Sequence, residues 1–458
     1  MSTEARFATA VPGAPPRTDG RSPHLRHASD ARTAAILRPI LERPSAVFLA
    51  LLALAGAGLL WWAYAWSFQL RHGMIVAGIA DWGTGGGVPW GFYVGSFIWW
   101  VGIAHGGIII SAAVRLFGLE AFKPVARMAE MLTLIALSIA ALYIVIHIGR
   151  PDRVVTSVLP NLPQTIRTSP LAWDVTVITL YFVLTATYLG LTIRPDLYAL
   201  RDRLPPLFAP VYAALLLGYR PEDKHKIERM AWWLALAVIV LAPLFLHGGV
   251  IPWLFATMPG QPGWFGGAQG PQFLTIALSS ALGSVIIMAY VFRRAFRWEE
   301  ILPDEVFAGL GRWLALFALL FLWMQLQQNI TGSVAPPAAV EKVTHAKMEE
   351  PLYWLALGLV GLALAYLAIQ MIFPRYFNVE RTVIAALLPV SATLLEKTLF
   401  VVEGLMYPVF QLYEAVPGHY TPSWVELSSA VGAFSILVLF FLAMSRIVPL
   451  VEVEADGE

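Results

Sequence analysis

The stretch His147-Ile-Gly-Arg-Pro-Asp-Arg153 separates two long apolar runs, and this arrangement decides the fold. The run before it covers residues 122–149, and the run after it opens with Ser169-Pro-Leu-Ala-Trp-Asp174. Each run is long enough for a helix that crosses a bilayer, which needs about 20 apolar residues. The pattern predicts two membrane helices whose ionisable ends meet at one membrane surface. Such groups are costly there unless they are paired, so they are candidate functional residues.

The composition of the whole chain also indicates a membrane protein. Of its 458 residues, 58% are hydrophobic and 13% are charged, whereas a soluble domain is about half apolar and about a quarter charged. The chain contains no cysteine, which excludes disulfides, covalently attached c-type haem and cysteine-ligated iron–sulfur clusters within this polypeptide. The basic residues lie in short loops between apolar runs, so nothing indicates nucleic-acid binding.

Hydropathy predicts an all-α integral membrane protein with ten spanning helices in a polytopic domain over residues 45–445. Residues 1–44 are rich in proline and arginine and predict a disordered tail, and residues 446–458 form a short second tail. Of the 31 lysines and arginines, 24 fall on the N-terminal side of the membrane and 6 on the other, so both termini are predicted to be cytoplasmic. The predicted spans are 45–70, 88–116, 122–149, 170–192, 230–249, 271–292, 306–331, 351–373, 380–404 and 423–445.

This orientation predicts a cluster of polar and aromatic side chains at the outer surface. His147 closes the third span, Asp174 opens the fourth, and His247 closes the fifth. Trp90 and Tyr93 open the second span at the same level. Their convergence singles out spans two to five as the part of the chain that carries a site.

The chemistry of this cluster fits the oxidation of a quinol. A histidine and a carboxylate can accept the protons of its two hydroxyl groups, and aromatic rings can line a slot for the flat headgroup. On spacing alone, a second interpretation is equally supported. In that interpretation Arg150 or Arg153 pairs with Asp174 in an interfacial ion-pair network, with Asp152 nearby and a tryptophan belt around it.

Two further groups of ionisable residues lie inside predicted spans. His105, near mid-depth in span two, is best interpreted as a hydrogen-bonded histidine at a close helix contact that Gly106 and Gly107 permit. A ligand to b-type haem, together with His147 and His247, is the alternative. No metal-binding spacing is present.

Span nine carries the second group. Glu396 and Glu403 are seven residues apart and therefore share one helix face, with Lys397 beside them. A proton path that also includes His105 is one interpretation of these residues. A structural interhelical pair with Gln325 or Gln328 is the favoured one.

Three motifs resemble the family of NrfD and polysulfide-reductase membrane subunits, which includes the quinol-oxidising membrane subunit of alternative complex III. They are Pro89-Trp-Gly-Phe-Tyr-Val-Gly95, His147-Ile-Gly-Arg-Pro151 and Ser169-Pro-Leu-Ala-Trp-Asp174. The resemblance covers most of the chain and is weaker outside spans two to five. Relatives in alternative complex III carry an acidic residue shortly after the histidine of span five, whereas His247-Gly-Gly-Val-Ile-Pro-Trp253 has none. This departure favours a polysulfide-reductase-like subunit of another oxidoreductase.

The resemblance implies two four-helix bundles, spans two to five (88–249) and six to nine (271–404), with flanking spans one and ten. It implies a menaquinone or ubiquinone site at the outer face of the first bundle, and no haem or iron–sulfur cluster in this chain. His147 and Asp174 would bind and deprotonate the quinol. The pocket would be lined by Trp90, Tyr93, Arg150 and His247.

The resemblance also implies partners. A ferredoxin-like iron–sulfur subunit would exchange electrons with the quinone at the outer face, and a molybdopterin-type subunit would provide the catalytic centre. The chain would be the membrane anchor of a respiratory complex in a bacterial inner membrane, without a complete catalytic centre of its own. Two other classes compete. A secondary transporter would use the charges of span nine, although transporter sites favour broken helices at the midplane. A haem-b electron carrier would use the histidines.

Overall fold

A computed structural model describes residues 23–78, 90–241, 251–334, 336–409 and 420–453. Every regular element in these ranges is a helix, which confirms the predicted all-α class. The helices are α1 (Pro23–Leu41), α2 (Ala46–His72), α3 (Phe92–Ile103), α4 (His105–Arg115), α5 (Lys123–His147), α6 (Leu159–Thr165), α7 (Pro170–Leu200), α8 (Ala209–Leu215), α9 (Lys224–Val240), α10 (Ile251–Ala256), α11 (Gln269–Phe296), α12 (Asp304–Ser333), α13 (Ala338–Glu349), α14 (Pro351–Ile372), α15 (Val379–Met406) and α16 (Trp424–Ile447).

Nine spans in the described ranges are long and apolar enough to cross a membrane, and each matches a predicted span. They are formed by α2, by α3 with α4, and by α5, α7, α11, α12, α14, α15 and α16. The remaining predicted span, 230–249, is helical as α9 through Val240, and residues 242–250 lie outside the described ranges. We call the end of the protein where α5 stops and α7 starts the His147 end, and the other the Arg127 end.

The spans pack as two four-helix groups, in agreement with the expected pair of bundles. The first contains the α3–α4 span, α5, α7 and α9, and the second contains α11, α12, α14 and α15. Helix α3 joins the groups because it also packs against α11 and α15. The first and last spans, α2 and α16, pair with each other along their lengths and lie against the first bundle.

Burial differs sharply between the central and flanking helices. All twelve residues of α3 are buried. On α2 the buried residues are Ala55, Trp62, Ala65 and Gln69, a stripe at helical spacing, while leucines and aromatic residues face outward. A surface this apolar suits the hydrocarbon of a bilayer, so α2 is a peripheral helix with one face on the protein.

Local sequence signals explain where several helices begin and end. Ser45 accepts a hydrogen bond from the backbone N–H of Phe48 (3.1 Å) and so caps α2. Ser423 and Glu426 form a capping box at the start of α16. Helix α5 ends at His147 because Gly149 adopts a positive φ of 69° and Pro151 follows.

The central α3–α4 span is interrupted at Ala104, near its middle. The freed Ala104 carbonyl accepts hydrogen bonds from the hydroxyls of Thr133 on α5 (2.6 Å) and Tyr181 on α7 (2.7 Å). Thr133 Oγ1 also accepts from the backbone N–H of Gly107 (3.0 Å), where a side chain would collide with α5. The Ala104 carbonyl and the Gly107 N–H are therefore both satisfied in the bundle interior, where lipid and packed side chains offer no water.

Parts of both terminal segments pack against the membrane helices. Residues 23–41, part of the expected disordered tail, form α1, because Ile36, Leu37 and Ile40 provide an apolar stripe that is buried against neighbouring helices. In the C-terminal tail, Leu450 and Val451 are buried beneath the first bundle at its Arg127 end. Both segments thus close the Arg127 end.

Candidate functional site

Three helices meet at the His147 end around the hydroxyl of Tyr93, near the start of α3. This hydroxyl donates to Gln69 Oε1 on α2 (2.6 Å). Gln69 Nε2 in turn donates to the carbonyl oxygen of Ile146, the residue before His147 (3.0 Å). The ring of Tyr143 on α5 lies 6.3 Å from the Tyr93 ring. Tyr93 and the end of α5 are therefore held to each other through a flanking helix.

Trp90 belongs to an aromatic stack at the same end. Its ring lies 5.4 Å from that of Trp264 in a nearly parallel arrangement and meets Phe255 edge-on at 5.8 Å. The indole N–H of Trp264 donates to the Phe400 carbonyl (3.0 Å), which fixes that ring to α15. Trp90 thus provides a flat apolar surface between the two bundles, of the kind that a planar headgroup needs.

Asp174 is the most unusual polar residue of the site. It lies in the first turns of α7 and is completely buried, and neither carboxylate oxygen has a hydrogen-bond partner among the described residues. His147, half-buried, lies at the end of the neighbouring antiparallel helix α5. No hydrogen bond or ion pair joins the two within the described ranges. A buried, unpaired carboxyl costs free energy, so its partner is expected outside the described residues.

The predicted interfacial ion pair of Asp174 with Arg150 or Arg153 is wrong. Arg150 forms a two-pronged pair with Asp152 at 3.0 Å for each bond, and both side chains are more than half exposed. The Arg150 guanidinium lowers the pKa of the Asp152 carboxyl through these hydrogen bonds. The close sequence spacing of Arg150 and Asp152 on one exposed turn favours this local pair over a distant buried partner. Arg150 therefore lies outside the buried part of the site.

The remaining predicted histidines are placed differently. His247 lies outside the described residues. His105 is fully buried at the break in the α3–α4 span, and its Nδ1 donates to the Val101 carbonyl (2.8 Å). Its ring lies 6.3 Å from the ring of Tyr181. His105 is thus deeper in the first bundle than Tyr93 and Asp174.

The charged residues of α15 lie in the second bundle, around a separate polar cavity. Glu396 Oε2 is 3.0 Å from Lys397 Nζ, and both side chains are buried. The Lys397 ammonium also lies 3.3 Å from the centre of the Phe273 ring, a cation–π contact. Glu396 and Glu403 line one cavity with Gln325 and Gln328, as their shared helix face predicts.

This cavity is closed at one side by helix α13. Its Lys347 lines the cavity and has its ammonium 5.0 Å from the centre of the Tyr353 ring. Burial lowers the pKa of Lys347, against the opposing effect of Glu403 and Glu396. The space open to water is about 40 Å³, enough for about two or three water molecules. The polar lining of this cavity suits water and protons.

Sequence reasoning missed several buried polar residues. Glu130 on α5 accepts a hydrogen bond from the Ser111 hydroxyl (2.6 Å). Its position as a lone carboxyl within an apolar run could have identified it as a buried polar residue. Glu426 accepts hydrogen bonds from the backbone N–H of Gly78 (2.6 Å) and from the Tyr420 hydroxyl (2.7 Å). The Ser-x-x-Glu spacing at Ser423 could have predicted its place in a capping box. Gln69 carried no comparable signal.

Within the described ranges, no group of three or more histidine, aspartate or glutamate side chains could hold a metal ion. Four features lie at the His147 end among the described residues. They are the unpaired carboxyl of Asp174, the half-buried His147, the oriented phenol of Tyr93 and the aromatic stack of Trp90. Together these groups can accept protons from, and pack against, a flat hydroxylated ring.

Three relatives each align with between 83% and 89% of this chain. A provisionally named dimethyl sulfoxide reductase membrane subunit of Halobacterium salinarum is 28% identical, over 89% of this chain and 92% of the relative. A selenate reductase subunit of Mesobacillus selenatarsenatis is 23% identical, over 83% and 89%. The Hdr-like menaquinol oxidoreductase integral membrane subunit of Archaeoglobus fulgidus is 22% identical, over 86% and 91%.

A family model confirms the resemblance that the three motifs indicated. The model of the polysulphide reductase family NrfD matches residues 82–409, which include both four-helix bundles and all three motifs. The match covers well over half of the chain. The protein therefore belongs to the NrfD polysulphide reductase family.

Proposed function

We propose that the chain is the quinone-reactive membrane subunit of a respiratory oxidoreductase complex. The observation that carries this proposal is the Asp174 carboxyl, which is fully buried with both oxygens unpartnered among the described residues. A ligand hydroxyl is the kind of group that would satisfy it. The fit is good, because a quinol presents hydroxyl donors on a flat apolar ring, and Trp90 offers a flat apolar surface at the same end.

Each residue of the site has a chemical role in this proposal. On oxidation, a bound quinol gives up two protons and two electrons. Asp174 accepts one proton and His147, at the end of α5, accepts the other and passes it toward the aqueous side. Tyr93 orients the headgroup, and burial of the site keeps bulk water from its oxygen atoms. His247 lines the quinone pocket in this proposal.

The names of the relatives support the proposed partners and quinone. Two relatives are named as subunits of reductases, and the third as a subunit of a menaquinol oxidoreductase. We therefore assign electron transfer to a ferredoxin-like iron–sulfur subunit docked at the His147 end, and catalysis to a molybdopterin-type subunit. Menaquinone is the first quinone to test. We also propose a bacterial inner membrane, with the His147 end outside and both termini in the cytoplasm; the lysine and arginine distribution supports this orientation.

Substitutions at the buried site test this function. In the complex purified with its soluble subunits, Asp174→Asn and His147→Ala should each lower menaquinol oxidation by at least about 100-fold, the usual contribution of a general base. Co-purification of the soluble subunits should be unchanged. Asp152→Asn is the matched control, because this carboxylate lies at the same end but is exposed and paired with Arg150. Normal menaquinol oxidation in both site variants would contradict the proposal.

A second function, proton movement through the second bundle, is supported by the cavity at Glu396 and Glu403. We propose that Glu396, Lys397 and Glu403 relay protons, with His105 as a further group in the first bundle. A carboxyl and an ammonium 3.0 Å apart next to space for water can exchange a proton, whereas a purely structural pair needs no water.

The relay is tested in liposomes that contain the complete complex. Glu403→Gln should reduce the number of protons moved per menaquinol oxidised, while the rate of menaquinol oxidation in detergent stays the same. Glu349→Gln, on the neighbouring helix α13 and outside the cavity lining, is the matched control. An unchanged proton yield in the Glu403 variant would exclude the relay and leave the quinone site unaffected.

A further inference from the structure

Gln69 is a buried polar residue on a helix that mostly faces lipid. The apolar helix α2 exposes most of its surface, and Gln69 has no exposed surface at all. Its amide contacts the Tyr93 hydroxyl, the Ile146 carbonyl and the sulfur of Met74 (3.2 Å). A polar side chain within an apolar span is costly, so a functional role is the default interpretation. Two of its three contacts are at or beside residues of the proposed quinone site.

The hydrogen-bonding capacities of these groups fix the direction of each bond. The Ile146 carbonyl can only accept, so the Gln69 –NH₂ group must face it at 3.0 Å. The Gln69 carbonyl oxygen is thereby turned toward Tyr93, and it too can only accept. The Tyr93 hydroxyl must therefore donate its single proton to Gln69, at 2.6 Å. The amide cannot flip without placing two acceptors against each other at Ile146.

This chain of bonds limits what Tyr93 can offer a ligand. A phenol has one donor proton and two acceptor lone pairs, and the proton is already used by Gln69. Toward a ligand, Tyr93 is consequently an acceptor. It can accept a hydrogen bond from the hydroxyl of a quinol, but it cannot donate to the carbonyl of a quinone without breaking the bond to Gln69.

We propose that Gln69 is a positioning residue that makes the site prefer quinol over quinone, by holding Tyr93 as a hydrogen-bond acceptor. The inference rests on the proposed quinone site and adds to it a reason for selectivity between the two redox forms. It also gives the flanking helix α2 a role at the site, since the same amide holds the backbone of Ile146 next to His147. Selection for the reduced form suits a site that oxidises quinol.

The test compares the binding of menadiol and menadione by the purified complex under anaerobic conditions, measured by quenching of tryptophan fluorescence. Gln69→Met has a similar length but no amide, so Tyr93 is free to donate to a quinone carbonyl. We expect its ratio of menadione Kd to menadiol Kd to fall about fivefold, the value of one neutral hydrogen bond. Gln69→Glu should keep the wild-type ratio, because a protonated carboxyl can donate to Ile146 and accept from Tyr93 as the amide does.

A double substitution separates positioning from a general structural effect. In a Tyr93→Phe background the hydroxyl is absent, so adding Gln69→Met should leave the Kd ratio unchanged. Tyr93→Phe alone should weaken menadiol binding more than menadione binding, a result that does not depend on the folding of the Gln69 variant. A wild-type ratio in Gln69→Met or Tyr93→Phe, or an equal change with and without the Tyr93 hydroxyl, would overturn the inference. If the wild-type complex binds neither compound, the quinone function itself is wrong.

Discussion

Asp174 and Asp196 are buried carboxylates on the same helix, α7, but their surroundings are opposite. Asp174 has no partner among the described residues. Asp196 forms an ion pair with Arg127 (2.7 Å) and accepts a hydrogen bond from the backbone N–H of Val453 (3.1 Å). The 22 positions between them correspond to about 33 Å of helix, so they lie near opposite surfaces of the bilayer.

The contrast separates two uses of a buried charge. At the Arg127 end, the guanidinium of Arg127 also donates to the carbonyls of Pro449 and Val451 (3.3 and 3.2 Å), so the chain itself supplies the counter-charge and these two acceptors. At the His147 end, the Asp174 carboxyl has no partner among the described residues and remains available to a group outside them. A paired buried charge indicates a structural role, whereas an unpaired one indicates a binding role.

The largest expected effect concerns Arg127. Arg127→Met leaves the buried Asp196 without its counter-charge, so the free energy of unfolding should fall by about 3–5 kcal/mol. Steric trapping or thermal unfolding of the purified protein measures this change. Arg150→Met is the matched control, because its exposed pair with Asp152 should contribute no measurable stability. If the two arginine variants were equally stable, the structural role of the Arg127 cluster would be disproved.

An intermediate effect is expected from the two aspartates themselves. Asp196→Asn removes a charge-assisted hydrogen bond and should lower the free energy of unfolding by about 2 kcal/mol, with little change in menaquinol oxidation. Asp174→Asn should have the opposite profile, with unchanged stability and lost menaquinol oxidation. Thermal unfolding and turnover of both variants measure the comparison. If both variants changed stability and menaquinol oxidation to the same extent, the lack of a partner at Asp174 would not indicate a functional role.

The smallest expected effect is the pH dependence of Asp152. Its pKa is lowered by hydrogen bonds from Arg150, and a carboxyl with a depressed folded-state pKa adds stability above its unfolded pKa. That contribution is lost as the pH falls through the lower folded-state value, so any change of stability with pH from this pair is confined to pH values below about 4. Because both side chains are exposed, wild-type and Asp152→Asn proteins should have the same melting temperature at neutral pH and differ little in acid. A clear difference at neutral pH would indicate that this pair contributes to the buried site.

Much of the fold was predictable because it depends on local hydropathy. A run of about 20 apolar residues specifies a span without reference to the rest of the chain, and nine spans were found where the sequence placed them. Helix ends followed readable signals, such as Gly149 after His147 and the Ser423–Glu426 capping box. The order of α1 was missed, since its apolar stripe of Ile36, Leu37 and Ile40 is short and lies in a polar, proline-rich context.

The sequence predicted how deep in the membrane the site residues lie, but not which side chains they contact. Alternation of the spans places Tyr93, His147 and Asp174 at one end whatever their side chains do. Which groups bond to each other depends on how helices rotate and pack. The Gln69–Tyr93 bond joins residues 24 positions apart, and the Gln69–Ile146 bond joins residues 77 apart. No local pattern encodes such contacts, so the exposed pair of Arg150 with Asp152 and the contacts of Gln69 were not predicted.

The contacts of Arg127 with the C-terminal segment have a consequence for biosynthesis. Arg127 lies in the second span of the first bundle, but two of the carbonyls that it contacts belong to Pro449 and Val451, which are synthesised 322 and 324 residues later. Spans α5 and α7 are therefore inserted long before this end of the bundle can close. Until α16 has entered the membrane and residues 449–451 have followed it, the buried guanidinium lacks these two acceptors. A chain that stops before residue 449 therefore contains α2 to α16 but lacks the two carbonyls that Arg127 contacts.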